Sequence, residues 1–381
     1  MTEKRYDTVI IGGGQAGLAA GYYLQRQGRD FVILDGGIRV GESWRMRWDS
    51  LHLFTPAGLN GLPGMPFPAP ARHYPTKDEM ADYLEDYVAR IDLPVRLGLS
   101  VAELTGEGEW YVLSTSTGRL EARHVVVATG AYRTPRVPDF ACQLDPAITQ
   151  LHSVAYRNPS QLRDGPVLIV GAGNSGAEIA LDVVSTHPVW LSGRDPGHIP
   201  AGYTTSDRSH WVARLIVGLA TRLTADTWPG RWVLSRAWAF TGGHPVVRVQ
   251  RDELLAAGVQ CVPRVAGVRT GQPLLADGRA LEVANVIWCT GFVRDYDWIR
   301  LPIIDENGVP RHHRGVVLSE PGLYFLGLPF QSSVLSGIVA SAGPDAKYIA
   351  GQLARRAWLG NPSHGAQPAR NRASSRGVRV P

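Results

Sequence analysis

The sequence predicts an α/β protein of two Rossmann-like units, each of the three-layer ββα type, and three observations predict it. A strand, a glycine-rich turn, a helix and a second strand occur together over residues 5–35 and again over 166–194. A shorter apolar strand closing in Thr-Gly is also duplicated, as HVVVATG ending at Gly130 and NVIWCTG ending at Gly291. The chain length of 381 residues leaves room for about two such domains.

In the first unit YDTVIIG reads as a buried strand, GGGQAG at 12–17 as the turn, LAAGYYLQRQG as a helix ending at Gly28, and FVILD as a strand ending at Asp35. The glycines have separate tasks in a dinucleotide fingerprint. Gly12 permits the tight turn, Gly14 lets backbone approach a pyrophosphate, and Gly17 lets the helix pack close to the sheet. The helix then offers free N–H groups to the phosphates. Asp35 stands 23 residues after Gly12, where a carboxylate accepts hydrogen bonds from ribose hydroxyls.

The second unit repeats this with GAGNSG, in which Gly171, Gly173 and Gly176 take the same roles. Its second strand ends in Leu191, Ser192, Gly193 and Arg194, with no acid at the ribose position. An acid there would repel a 2′-phosphate, whereas Ser192 and Arg194 can bind one, so the coenzyme is expected to be NADP(H). Asp195 is a competing partner for Arg194. Between the units, 131–140 reads as a linker, with a second crossing near 292–302. The Trp-rich stretch 198–245 fits neither unit and reads as a helical insertion, either a small satellite core or a lid, apolar substrate wall or membrane-touching surface.

Composition narrows the function. The 44% hydrophobic and 19% charged residues are those of a globular protein, and the 43 glycines and 27 prolines show no period. Cys142, Cys261 and Cys289 form no CxxC pair, which argues against a disulfide framework, a zinc finger or a thioredoxin-type redox pair and for a reducing cytoplasm. No metal site is expected; the adjacent His312 and His313 lie between Arg311 and Arg314, which suits a turn. The N-terminal apolar run is too short for a signal peptide, and no run of about 18 apolar residues predicts a membrane span. Of the net charge of +5, four charges are Arg370, Arg372, Arg376 and Arg379 in a basic tail over 359–381 that reads as disordered. The remaining body is nearly neutral, so no nucleic-acid partner is expected. Two nucleotide sites in one chain suggest a hydride relay from a nicotinamide to a bound flavin, and without a CxxC pair the acceptor beyond it is oxygen or a quinone-like molecule.

Seven segments together resemble one family. They are GGGQAG at 12–17, GESWRMRWDSLHLFTP at 41–56, LPGMPFP at 62–68, YPTKDEMADYLEDY at 74–87, VVVATG at 125–130, GAGNSG at 171–176 and WCTGF at 288–292. The sequence resembles the flavin-containing, class B-type monooxygenases, in particular bacterial single-chain members and the plant YUCCA enzymes. The likeness spans residues 5–355.

The resemblance implies FAD at the first unit and NADPH at the second, with the NADPH domain inserted into a split FAD domain. The expected boundaries are 1–140 for the first part of the FAD domain, 141–295 for the NADPH domain with its insertion 198–245, and 296–358 for the return segment. The FAD contacts implied are Gly12, Gly14, Gln15, Ala16, Gly17, Asp35, Trp44, Arg45, Thr129 and Gly130. Those implied for NADPH are Gly171, Gly173, Asn174, Ser175, Gly176, Ser192, Arg194, Thr290 and Gly291.

The implied reaction inserts one oxygen atom of O₂ into a small organic substrate, at N or S, through a C4a-(hydro)peroxyflavin. The alternative is an NADPH oxidase or electron-transfer reductase without oxygen insertion. His152 (linker residue or satisfied structural histidine), Trp44 and Gln331 are the candidates beside the chemistry. Two departures stand out. In the family's FxGxxxHxxx(F/W/Y) fingerprint Pro146 and Ile148 replace Phe and Gly, with His152 and Tyr156 kept, and an active-site Asn used by some members falls on Phe54. Asn60, nearby, does not inherit that role. A homodimer is the default expectation.

Overall fold

A computed structural model of the chain describes residues 4–197, 224, 226–231, 246–333 and 335–359. The expected insertion 198–245 lies outside the described residues except for 224 and 226–231, and so does the tail beyond Leu359.

The first sheet contains β1 (Lys4–Ile11), β2 (Phe31–Leu34), β3 (Val95–Arg96), β4 (Val101–Glu107), β5 (Trp110–Thr115) and β6 (Gly118–Val127), in the order β3-β2-β1-β6-β5-β4. The strands β3, β2, β1 and β6 run parallel, while β6, β5 and β4 form an antiparallel meander. A late strand, Leu323–Phe325, pairs parallel with the C-terminal half of β6, so the chain returns to this sheet near its end.

Side-chain alternation builds the layers. Ile10, Ile33, Val126 and Tyr324 face the helices α1 (Gln15–Arg26), α3 (Lys77–Ile91) and the C-terminal helix Val339–Leu359. Val9, Ile11, Val32, Leu34, Val125 and Val127 face the meander and residues 296–304. The apolar runs of the sequence are therefore strands buried on both faces.

The second sheet is wholly parallel, in the order β11-β10-β9-β14-β8. It comprises β8 (Thr149–His152), β9 (Val167–Val170), β10 (Val189–Ser192), β11 (Gln260–Val262) and β14 (Asn285–Trp288), with α4 (Asn174–Val183) as the crossover after β9. Its residues all fall between β6 and the returning strand of the first sheet. The two crossings meet: β7 (Thr134–Pro135) pairs antiparallel with β15 (Phe292–Val293). No described helix is long and apolar enough to cross a membrane.

Candidate functional site

The two glycine turns are built alike, down to the backbone. Gly12 N–H donates to Leu34 O and Gly171 N–H to Ser192 O, both at 2.7 Å. Both glycines have φ +114°, a left-handed value that L side chains rarely adopt. A Cβ on Gly12 would stand 2.3 Å from Ala128 O, and one on Gly171 2.2 Å from Cys289 O. A Cβ on Gly17 would stand 1.9 Å from Gly12 O, and one on Gly176 1.8 Å from Gly171 O. These four glycines are demanded by the fold alone.

The middle glycines differ. Gly14 and Gly173 are the N-caps of α1 and α4, with φ −80° in each case and no side-chain cap. No heavy atom lies within 4 Å of a Cβ built on either. Neither helix has an acid in its first turn, whereas α3 has Asp78, Glu79 and a full capping box from Thr76. Two helix N-termini thus present free N–H groups and a positive dipole end to open space, each at the carboxyl ends of parallel strands. With no atom within 4 Å of a Cβ at Gly14 or Gly173, the N–H groups of both helix starts are open to a phosphate group.

Asp35 ends the first unit as anticipated. Its carboxylate accepts from Gly13 N at 2.5 Å and from Gly37 N at 2.7 Å, which holds it beside the turn. Trp44 lies against the same turn, with Nε1 3.4 Å from Gln15 Oε1. Ala16 is buried under Gly327 of the returning segment. In the second unit Asn174 Oδ1 accepts from Val247 N, and Ser175 sits half-buried in the first turn of α4. Arg194 is exposed, while Asp195 pairs with Arg251 at 3.2 Å, so the competition for Arg194 does not arise there.

Three further expected positions have their side chains engaged by the protein itself. Ser192 is fully buried; its hydroxyl donates to Pro263 O at 2.8 Å and accepts from Val265 N at 3.1 Å. A residue on β10 alternates inward, and this one closes the loop after β11 instead of facing a ribose. Arg45 turns onto α3, where it pairs with Asp82 at 2.7 Å and Glu85 at 3.0 Å, so its charge is spent within the protein. Gln331 is buried and braces its own loop, accepting from Leu328 N and donating to Arg314 O.

The crossings are tied at their ends. Thr290 Oγ1 donates to Arg136 O, and Arg136 N donates to Gly291 O at 3.0 Å. His152, at the end of β8, is buried; Nε2 donates to Gly291 O at 3.0 Å and Nδ1 accepts from Val154 N at 3.2 Å. Those two partners fix one neutral tautomer. Burial pushes its pKa down, the Gly291 carbonyl opposes this, and Arg47 adds to it. His152 therefore serves as a structural clamp on the crossing. Thr129 and Gly130 follow the end of β6, and Gly130 and Gly291 have φ +75° and +82° with open space around their Cβ positions.

The series 41–87 was legible as a motif but its scaffold was not. Helix α3 holds it: Tyr83 Oη accepts from Leu62 N and donates to Met65 O, and Tyr87 Oη donates to Pro63 O at 2.7 Å. Pro63 in turn packs on Gly343 of the C-terminal helix. Asn60 is fully buried and bonded to Thr55 through both side-chain atoms, so it clamps its loop. An open recess of about 380 Å³ bounded by Val101, Arg133, Trp298 and Arg300 lies at the rim and includes none of the turn glycines.

Residues 9–213 match the family described as pyridine nucleotide-disulphide oxidoreductase. The chain belongs to that family. It is an oxidoreductase, and no thiol pair accompanies the family's disulphide name: the three cysteines are free, and burial pushes the Cys289 thiol up to about 12. The chain is 40% identical over 346 residues to an uncharacterized CzcO-like oxidoreductase of Geobacillus kaustophilus, covering 90% of this chain and 97% of that protein. It is 28% identical over 398 residues to the probable indole-3-pyruvate monooxygenase YUCCA3 of Arabidopsis thaliana, covering 91% and 86%. A flavin-containing monooxygenase from Stenotrophomonas maltophilia superimposes with a TM-score of 0.76 at 28% identity, covering 93% of this chain and 99% of that one.

Proposed function

We propose that the protein is an NADPH-dependent FAD monooxygenase that inserts one atom of O₂ into a small organic substrate at an N or S centre. The observation that carries this reading is the pair of open glycine turns, Gly14 and Gly173, each at the carboxyl ends of parallel strands in two sheets whose connecting crossings pair as the β7–β15 ladder. A single turn supports one nucleotide; two facing one junction support a relay. The likeness to monooxygenases of known name supports the reaction class.

In this reading residues 1–140 and 296–358 form the FAD domain and 141–295 the NADPH domain. Gly12, Gly14 and Gly17 seat the FAD pyrophosphate on α1, Asp35 accepts from its ribose, and Trp44 covers the approach. Gly171, Gly173, Asn174 and Gly176 seat NADPH on α4, and Arg194 pairs with its 2′-phosphate. Bound FAD supplies hydride acceptance and oxygen activation. The chain's own work is to position both nucleotides, to hold the junction rigid through His152, Thr290 and Gly291, and to keep water from the reacting centre.

The test compares NADPH consumed with peroxide formed by the purified yellow protein across thioethers and tertiary amines. A substrate that suppresses peroxide and carries ¹⁸O from ¹⁸O₂ establishes the monooxygenase. Peroxide matching NADPH throughout the panel favours an oxidase.

A further inference from the structure

Arg47 is a half-buried cation at the junction that has no carboxylate partner among the described residues. It follows the short helix α2 (Glu42–Arg45), and its backbone N–H donates to Trp44 O at 2.9 Å. Its guanidinium lies over the Phe292 ring, 5.7 Å from the centroid. The same ring is flanked edge-on by Tyr132 at 5.5 Å and His152 at 5.1 Å. Among the described residues no carboxylate pairs with Arg47, although Arg5, Arg29, Arg39, Arg45, Arg119 and Arg251 all have one. Another cation, Arg157, acts on it electrostatically, and the Arg157 guanidinium is itself occupied by Val154 O, Tyr156 O and Met46 Sδ. Burial pushes the Arg47 pKa down, the Tyr132 hydroxyl opposes this, and Arg157 adds to it.

A half-buried guanidinium beside a like charge is costly unless something negative joins it. Its place says what. Phe292 follows Gly291, Tyr132 is two residues after Gly130, and His152 ends β8, so Arg47 stands where the carboxyl ends of both sheets meet. Ligands of open α/β sheets bind at such ends. The strand ends His152, Trp288 and Val170 are in register across three neighbouring strands. Two strand spacings, about 10 Å, therefore separate His152 from the Gly171 turn. A pyrophosphate on α4 sits at that turn, which leaves Arg47 nearer to what lies between the nucleotides.

We propose that Arg47 is an oxyanion-binding residue of the junction, and that the ligand it holds is the carboxylate of a small organic acid acting as substrate. The shared chemistry is a planar fork of donors on an anionic oxygen pair, and a phosphate of the nicotinamide dinucleotide is the other source of that chemistry. This deepens the proposed function and rests on it only for which ligand brings the oxyanion.

The experiment uses the purified holoenzyme, wild type beside Arg47→Met and Arg47→Lys, titrated calorimetrically with acetate, benzoate, phenylacetate, inorganic phosphate and NADP⁺. Retained melting temperature and flavin content certify each variant as folded, and Arg47→Lys keeps the test open should the Met variant misfold. The expected result is saturable carboxylate binding that weakens at least tenfold in Arg47→Met, recovers in part in Arg47→Lys, and leaves NADP⁺ affinity within twofold. A tenfold loss confined to phosphate and NADP⁺ keeps the oxyanion role and assigns it to the dinucleotide, overturning the substrate assignment. Affinities for all five probes within twofold of wild type overturn the proposal. The titration uses no redox step, so a protein that NADPH fails to reduce sinks the monooxygenase reading and leaves the Arg47 result to stand by itself.

Discussion

Gly14→Ala separates ligand binding from folding, because the structure gives this glycine space and a backbone that alanine accepts. Its φ is −80°, and nothing lies within 4 Å of the added methyl group. Losing glycine at an N-cap costs about 0.5–1 kcal/mol, and the reduced entropy of the unfolded chain returns about 0.4–1 kcal/mol. The fold should therefore change by less than about 1 kcal/mol, or a few degrees in melting temperature. The methyl group, however, points into the volume where a pyrophosphate meets the α1 N–H groups. Losing one or two charge-assisted bonds at about 1.5–3 kcal/mol each weakens FAD by about tenfold at the least and about 10⁴-fold at the most. The assay is the flavin-to-protein absorbance ratio of the purified variant, with a thermal melt beside it. Gly17→Ala is the contrast: its Cβ would stand 1.9 Å from Gly12 O, so it should lose several kcal/mol of stability. A Gly14→Ala protein that stays yellow at wild-type stoichiometry would refute the assignment of this turn to FAD.

Arg194→Ala should lower the NADPH-over-NADH preference in kcat/KM at least tenfold, since Arg194 is exposed and Asp195 is engaged with Arg251; an unchanged ratio removes Arg194 from the site. Ser192→Ala should cost about 1–3 kcal/mol of stability, because it strands Val265 N, and should leave coenzyme preference unchanged; a denaturant melt and the same kinetic ratio check both halves. Thr76→Ala should cost about 1 kcal/mol through loss of the α3 cap, read as a shift in the urea midpoint at constant slope. Burial, with repulsion from His313, pushes the His312 pKa down from 6.5 to about 4. The unfolded chain then takes up a proton near pH 6.5 that the fold refuses until about pH 4. Stability is complete above that window and falls through it by at most about 3 kcal/mol. His312→Asn should flatten that slope in melts between the two pH values, and an unchanged slope would assign the acid sensitivity elsewhere.

The sequence by itself determined the two nucleotide turns, the strands on either side of them and the place of Asp35. Each is a local matter. A left-handed φ at Gly12 and Gly171 and the close approach of Gly17 and Gly176 admit one residue type, and strands covered on both faces read as unbroken apolar runs. What only the tertiary structure decided is where polar side chains spend their hydrogen bonds. Ser192 and Arg45 have the right chemistry at the right spacing for a nucleotide, yet Pro263, Val265, Asp82 and Glu85, distant in sequence, claim them first. His152 is a clamp because a glycine 139 positions away offers its carbonyl. The order of residues does not single out Arg47 within its motif, because a missing counter-charge is a property of three-dimensional neighbours. Backbone conformation is dictated within a few residues, whereas electrostatic pairing is settled by whichever partner the fold brings within about 3 Å, and that competition is resolved only when the sheets have closed.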